Sequence, residues 1–489
     1  MTSPWAVITV VIYFVILGIV VGKWGKGKEK GLNEFAVAGR SAPWWLIMFT
    51  VLATWVIGST YTATMGYAVT GGAIGIYMAI YTVIGLVIFY YIGPRIWVWG
   101  KVHNLYNLPD YIGRRYGDRR LAILIAIAGF IIGAPWQIMA LKTFGYCTTA
   151  LTYGALPQAA GMAIFAAVIA IYCIYGGMRS VVVTDFFQGI VSVVVVIGGI
   201  IAAIYIKFGG VGPMFQQVLA QRPEMLVIGD TKYWTSIIVA SALGAYCWLE
   251  IFNRIFLARS VRDLKIIARG APILGGGIYF LVGILGVGGC VLASVNADLA
   301  AAESGFLTIF SEVGGPLLLA FAAIIIIAAE MSSIDSQLTT AGIVLARNAV
   351  GELKKGGLSD AGVVKLSRII IAVWMVIVYF MSIGDLPALI VFAIVSYEFL
   401  AAMFPTIIIG ALWKRGTAKG CWASLAVGWI VCGILQIWPV TQAWVGGWGA
   451  GITGAFFAII VYFAVSLASP KDKKVEALFT EVEAYKEVR

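Results

Sequence analysis

The stretch FAAIIIIAAEMSSIDSQLTTAGIVLA, residues 321–346, sets two acids and five hydroxyls inside one of the most apolar runs of the chain. A helix through it puts Ala329, Ser332 and Ser333 on one face, because positions three and four apart are neighbours. Two hydroxyl oxygens and a nearby carbonyl form half of an oxygen cage suited to a hard monovalent cation. One helix cannot close such a cage, so a second, broken helix must supply the rest. Taken alone, the two serines are better accounted for by bonds back to their own helix, as is common for Ser and Thr in membranes; it is the partner helix that favours the cage.

The setting of that stretch is a membrane. Of 489 residues 61% are hydrophobic and 12% charged, and the mean hydropathy is +0.96, against roughly 45–50% apolar residues in a soluble domain. Apolar runs of spanning length recur along the chain, and helices rather than a barrel satisfy their backbones. The sequence predicts thirteen spans at 4–22, 44–70, 74–100, 121–150, 157–176, 182–206, 233–258, 270–294, 314–346, 368–385, 387–413, 419–438 and 446–468. The first lacks a preceding basic residue and a following small-residue cleavage site, which marks a retained helix rather than a signal peptide.

With the N-terminus outside and the C-terminus cytoplasmic, 30 of the 34 Lys and Arg fall in cytoplasmic segments, as the positive-inside rule requires. The exceptions are Lys142, Lys207, Arg222 and Lys232. A basic cytoplasmic face accounts for the net charge of +11, with the lipid bilayer as partner and no nucleic acid. The six cysteines lie in or beside apolar runs without paired spacing, which predicts neither disulfide nor zinc. The sole histidine, His103, lies in a loop, so no Ser–His pair forms within the membrane and an enzyme is not expected.

Ionisable residues inside spans are costly and mark function by default. Here they are Lys142, Asp185, Glu250, Glu330, Asp335 and Glu398. Glu250 stands four before Arg254, a spacing that favours a structural ion pair. Glu330 is expected to face the scaffold or to serve a second cation or a proton. The tail 469–489 reads as a solvated helix or disorder.

Span 2, FTVLATWVIGSTYTATMGYAVTGG, interrupts an apolar run with hydroxyl residues, Gly58 and Gly66. Discontinuous helices of this kind expose carbonyls at the midplane of secondary transporters. Together GRSAPWW, LPDYIGRRYGDRR, YGGMRSVVVTDFFQ, AAEMSSIDSQL and ALWKRGTAKG, in order over residues 5–435, make the chain resemble the sodium/solute symporter family. That group includes sodium-coupled proline, pantothenate, galactose and sialic acid transporters.

The resemblance implies an all-α, LeuT-type fold of two inverted five-helix repeats. The organisation is then an extra N-terminal helix and loop at 1–42, repeats at 43–207 and 208–415, two further helices at 416–468 and the tail. It implies sodium ligands at the carbonyls of Ala53, Val56 and Ala329 and the hydroxyls of Ser332 and Ser333. Asp185 would serve sodium exit or, as in some members, a second sodium site formed with the paired serines. The solute would sit among Trp55, Ser59, Thr60, Ser241, Tyr246, Trp248 and Tyr397.

Lys142, with Gln137 on nearly the same helical sector, points to a small carboxylate, such as a monocarboxylate, a pantothenate-like acid or an acidic sugar. The alternative for Lys142 is snorkelling to headgroups, and the alternative solute is neutral or zwitterionic, such as an amino acid. The function so implied is sodium-coupled symport in the plasma (inner) membrane by a multi-pass monomeric unit. A sodium-permeable channel and a substrate sensor are the readings from other classes.

Overall fold

The computed structural model describes residues 4–24, 32–354, 357–384, 387–471 and 473–485. These residues are helical almost throughout, and the only β-type contact among them is a bridge between Ala42 and Ala258. Most of the predicted spans have their helix: Trp5–Trp24, Tyr77–His103, Arg119–Leu151, Val261–Gly289, Asp360–Ser382, Ala418–Ile437 and Ala450–Ala468. Three others are broken, and the breaks organise the site.

The first broken helix starts as Trp44–Trp55 behind Pro43, whose extended backbone is a natural helix entry. It ends at Val56, where φ −89° and ψ 85° leave the helical region. A π-helical turn at Thr60–Thr64 leads into Met65–Gly71. Gly58 lies within the break because nothing larger fits: a Cβ there would collide with the Glu330 carboxylate and the Ile326 carbonyl of the serine-bearing helix.

The second runs Thr231–Gly244, tightens at Ala245–Cys247 and resumes as Leu249–Leu257 after a 49° bend. The third bends by 44° between Leu389–Ala401 and Pro405–Leu412. The serine-bearing helix is assigned Gly305–Val344, with non-helical backbone at Gly314 and Gly315 ahead of Pro316. From Leu319 to Val344 all but Phe321 are buried, so this helix is the axis of the bundle.

Spans 157–176 and 182–206 appear as one helical run, Gln158–Phe208. Its contacts show that it doubles back. Ala159 accepts a bond from Tyr379 and Gly161 packs on Thr148 at one end of the bundle. Cys173 Sγ lies 3.8 Å from the Asp335 carbonyl at the other end. Gly199 then packs on Phe310, which stands on the serine-bearing helix far from Asp335, at about 1.5 Å per residue. The run is therefore two antiparallel legs.

Seven described helices are long and apolar enough to cross a membrane, and ten if each bent pair counts as one. By that measure thirteen is not reached, because the apolar stretches Val7–Ile16, Trp44–Trp55, Gln158–Ile171 and Val181–Ile190 are each short on their own.

The tail corrects the sequence reading. Lys473–Ala484 is a helix with Val475, Leu478, Phe479 and Val482 buried. Phe479 stands edge-on to Trp99 at 5.4 Å between centroids. Trp99 Nε1 donates to the Leu478 carbonyl at 2.8 Å, His103 meets Glu481 at 2.6 Å and Lys414 meets Glu483 at 2.6 Å. An i, i+3, i+4, i+7 apolar stripe among charges is the pattern of a helix that docks on one face. It covers the basic end of the bundle.

Candidate functional site

At the first break the bundle axis supplies two hydroxyls to one exposed carbonyl. Ser332 Oγ lies 2.9 Å from the Ala53 carbonyl and 2.8 Å from that of Ala329. Ser333 Oγ lies 3.0 and 3.1 Å from the same two atoms. Ser332, Ser333, Ala53 and Ala329 are all buried. Both serines do bond back to their own helix, and they also reach across to the broken one. The four oxygens are neutral and converge from two helices, a donor set matched to a hard alkali cation. Val56 is the first residue beyond the helical arm.

Glu330 does not face the scaffold. Its carboxylate takes the Ser59 N–H and lies 3.1 and 3.2 Å from Ser59 Oγ. That amide begins the second half of the broken helix, where unpaired N–H groups favour a negative partner. The serine-bearing helix thus holds both halves of the break, through Ala53 on one side and Ser59 on the other.

A small pocket lies between the first two breaks, lined by Thr54, Trp55, Ile57, Trp136, Trp248, Glu250, Ile251, Gln337 and Tyr397. Its aromatic walls brace one another: Trp136, Trp248 and Tyr397 meet pairwise edge to face at 5.3–5.8 Å. Trp55 is anchored by a 3.0 Å bond from Nε1 to Thr82 Oγ1, and its carbonyl, freed by the break, accepts from the Tyr279 hydroxyl at 2.9 Å. Tyr246 backs this wall, stacked on Phe89 at 5.2 Å and 6.0 Å from Trp55.

Of the residues singled out in the sequence, Trp55, Trp248 and Tyr397 line the pocket, and Ser59 is engaged by Glu330. Thr60 and Ser241 are buried beside the two breaks. Gln137 and Lys142 stand apart: Gln137 Oε1 takes the Trp374 N–H at 2.5 Å, and Lys142 Nζ donates to the Gly384 carbonyl at 2.8 Å in an exposed setting. Lys142 is on the face opposite the basic one.

Arg254 is engaged more widely than its spacing from Glu250 suggests. Arg254, 1% exposed, reaches Asp185, Thr54 and Ser336, while Glu250 turns to the pocket. Both stand on the helix Leu249–Leu257, Glu250 in its first turn after the break and Arg254 one turn further on, at the junction of four elements. Glu398 is buried and bonded by Gln436, away from the pocket. Sequence reasoning missed Trp136, Gln337 and Glu303. Glu303, on the short helix Leu299–Glu303, accepts from the Tyr146 hydroxyl at 2.7 Å and the Leu389 N–H at 2.8 Å. Burial pushes its carboxyl above the usual range.

The arrangement of two interrupted helices around an axial helix defines a secondary transporter. The chain belongs to the sodium:solute symporter family, whose signature matches residues 35–428. An osmoregulated proline transporter of Bacillus subtilis is 25% identical, covering 96% of each chain. A monocarboxylate transport permease of Rhizobium johnstonii is 24% identical over 91% of this chain and 86% of its own. Among solved structures, a substrate-bound, outward-open sodium-coupled sialic acid symporter superposes with a TM-score of 0.77 at 17% identity, covering 96% of this chain and 99% of that one. That likeness shows the fold, the LeuT-type arrangement expected from the sequence.

Proposed function

We propose that the protein is a sodium-coupled symporter that imports a small organic solute across the cell membrane by alternating access. The observation that carries this reading is the meeting of the Ala53 and Ala329 carbonyls with the Ser332 and Ser333 hydroxyls at a helix break. Sodium would be held there, with the Val56 carbonyl completing the shell. Bound sodium would bridge the axial helix and the broken helix, and so favour the state in which the adjoining pocket binds solute. A ligand shifts such an equilibrium only by its differential affinity for the two states. The driving force is the sodium gradient, with roughly 2.3 kcal/mol per charge per 100 mV added by an inside-negative potential.

The solute is a small carboxylate-bearing molecule, and the pocket favours a zwitterion over a simple anion. Its walls are aromatic, and among the described lining residues Glu250 is the one charged side chain. An ammonium would meet Glu250 and the faces of Trp and Tyr rings, which attract cations. A simple anion would meet only like charge.

The test is uptake into vesicles under an inward sodium gradient, screened against amino acids, monocarboxylates and sugars. Sodium-dependent uptake of an amino acid, abolished by collapsing the gradient, is the expected result. Sodium flux independent of every solute would replace symport by a channel.

A further inference from the structure

The second sodium site that the resemblance implied at Asp185 does not fit the residues found there. Ser332 and Ser333, which were to share it, turn their hydroxyls to the Ala53 and Ala329 carbonyls. The partner that Asp185 has instead is Arg254, whose Nη2 lies 3.3 Å from Asp185 Oδ2 with both side chains at 1% exposure or less. The same nitrogen lies 2.5 Å from Ser336 Oγ and 2.5 Å from Thr54 Oγ1, and Nε lies 3.1 Å from Thr54 Oγ1.

We propose that Arg254 is a resident cation that takes the place of a second sodium beside Asp185, so that one sodium accompanies each solute. The inference rests on the symport reading and fixes its stoichiometry.

A guanidinium is permanently charged, so unlike sodium it cannot leave the site and cannot draw on the gradient. Asp185 Oδ1 and Asp335 Oδ2 have no hydrogen bond among the described residues, so the cluster holds two carboxylates against one guanidinium. Two of the hydroxyls that a sodium there would draw on are already engaged. Ser336 Oγ is taken by Arg254 and lies 2.9 Å from the Ser332 carbonyl and 3.3 Å from Asp335 Oδ1. Thr54 Oγ1 is taken by Arg254 and lies 2.8 Å from the Thr50 carbonyl. A sodium at Asp185 would also face the guanidinium across a single carboxylate with no exposed surface to screen the repulsion.

The contact joins four elements: the first two broken helices through Thr54 and Arg254, the returning leg through Asp185 and the axial helix through Ser336. It lies within a turn of Ser332 on the side of the basic face. The resident charge therefore stands across the route by which sodium would leave the cage toward that face.

The experiment counts sodium alone. Purified protein is equilibrated with radioactive sodium, choline replacing it at constant ionic strength, and bound sodium is measured per chain. The wild type is expected to bind one. Arg254→Gln is expected to bind two, because Asp185 loses its partner, and Arg254→Gln with Asp185→Asn to return to one. Two per chain in the wild type would overturn the proposal whether or not any variant folds, and leave symport intact. A monodisperse Arg254→Gln that still binds one would also overturn it. No binding at all in the wild type would remove the symport reading and this inference together, an outcome distinct from either.

Discussion

Two serine hydroxyls and two carbonyls converge where the first helix is interrupted, and the proposed sodium site rests on them. Replacing both Ser332 and Ser333 by Ala deletes the side-chain half of the cage without touching its backbone half. At roughly 1.5–3 kcal/mol for each contact to a charge, and 1.4 kcal/mol per decade, sodium affinity should fall on the order of 10²- to 10⁴-fold. Sodium titration of purified double mutant, with its melting temperature as the control for folding, measures this directly. Wild-type affinity in the mutant would remove these hydroxyls from the site. Glu250→Gln tests the solute side: loss of one charge-assisted bond should weaken an amino-acid solute by about 10- to 150-fold and leave sodium affinity alone. Lys142→Gln should leave solute affinity unchanged, since its ammonium is spent on the Gly384 carbonyl. A marked loss in Lys142→Gln, seen by calorimetry at saturating sodium, would restore an anionic solute held at that lysine.

Among elements, the break in the first helix is the decisive one, and Gly58 is its tightest point. Any side chain there must displace the Glu330 carboxylate and a carbonyl of the neighbouring helix. Gly58→Ala is therefore expected to cost about 1–3 kcal/mol, the range for overpacking, and to abolish uptake by parting the two halves from the serines. A variant with full uptake and an unchanged melting temperature would contradict that packing. Much of this was legible in the sequence. Small and hydroxyl residues in an apolar run announced the break, and helical spacing put Ala329, Ser332 and Ser333 together. The partners across elements were not legible. Glu250 stands four residues before Arg254 on one helix, Leu249–Leu257, and local spacing pairs them; Arg254 also reaches Asp185, Thr54 and Ser336 on three other elements, and no local pattern encodes those partners. Trp136 was hidden for a similar reason: it stands in the middle of the helix Arg119–Leu151, where the sequence does not say which neighbours a large ring meets, and only the packing sets it against Trp248 and Tyr397. Lys142 stayed open between two readings because a lone basic residue in an apolar run reads alike whether it faces a cavity or the membrane surface.

At the scale of the molecule, the helix Lys473–Ala484 joins parts of the bundle that are otherwise far apart in the chain. Phe479 is 1% exposed and lies among Trp99, Arg95, Arg115 and Lys414. Phe479→Ala should cost about 3–5 kcal/mol, as for other buried Phe deletions, paid mostly as undocking of this helix rather than as unfolding of the bundle. Limited trypsin digestion should then cut at Lys473 and Lys474 while the remaining bundle keeps its melting temperature; equal protection in mutant and wild type would show that other contacts hold the helix. The tail looked solvated in the sequence because its charges outnumber its apolar residues, and its stripe has meaning only against the groove that receives it. Leu478 is bonded to a tryptophan 379 residues earlier. At the usual ribosomal rate of about 5–20 residues per second, that separation amounts to about 20–75 s of synthesis. For that interval the membrane already holds Trp99 while the residues that cover it have yet to be made, so the nascent transporter passes through a stage whose basic face is bare and open to whatever chaperone or protease reaches it first.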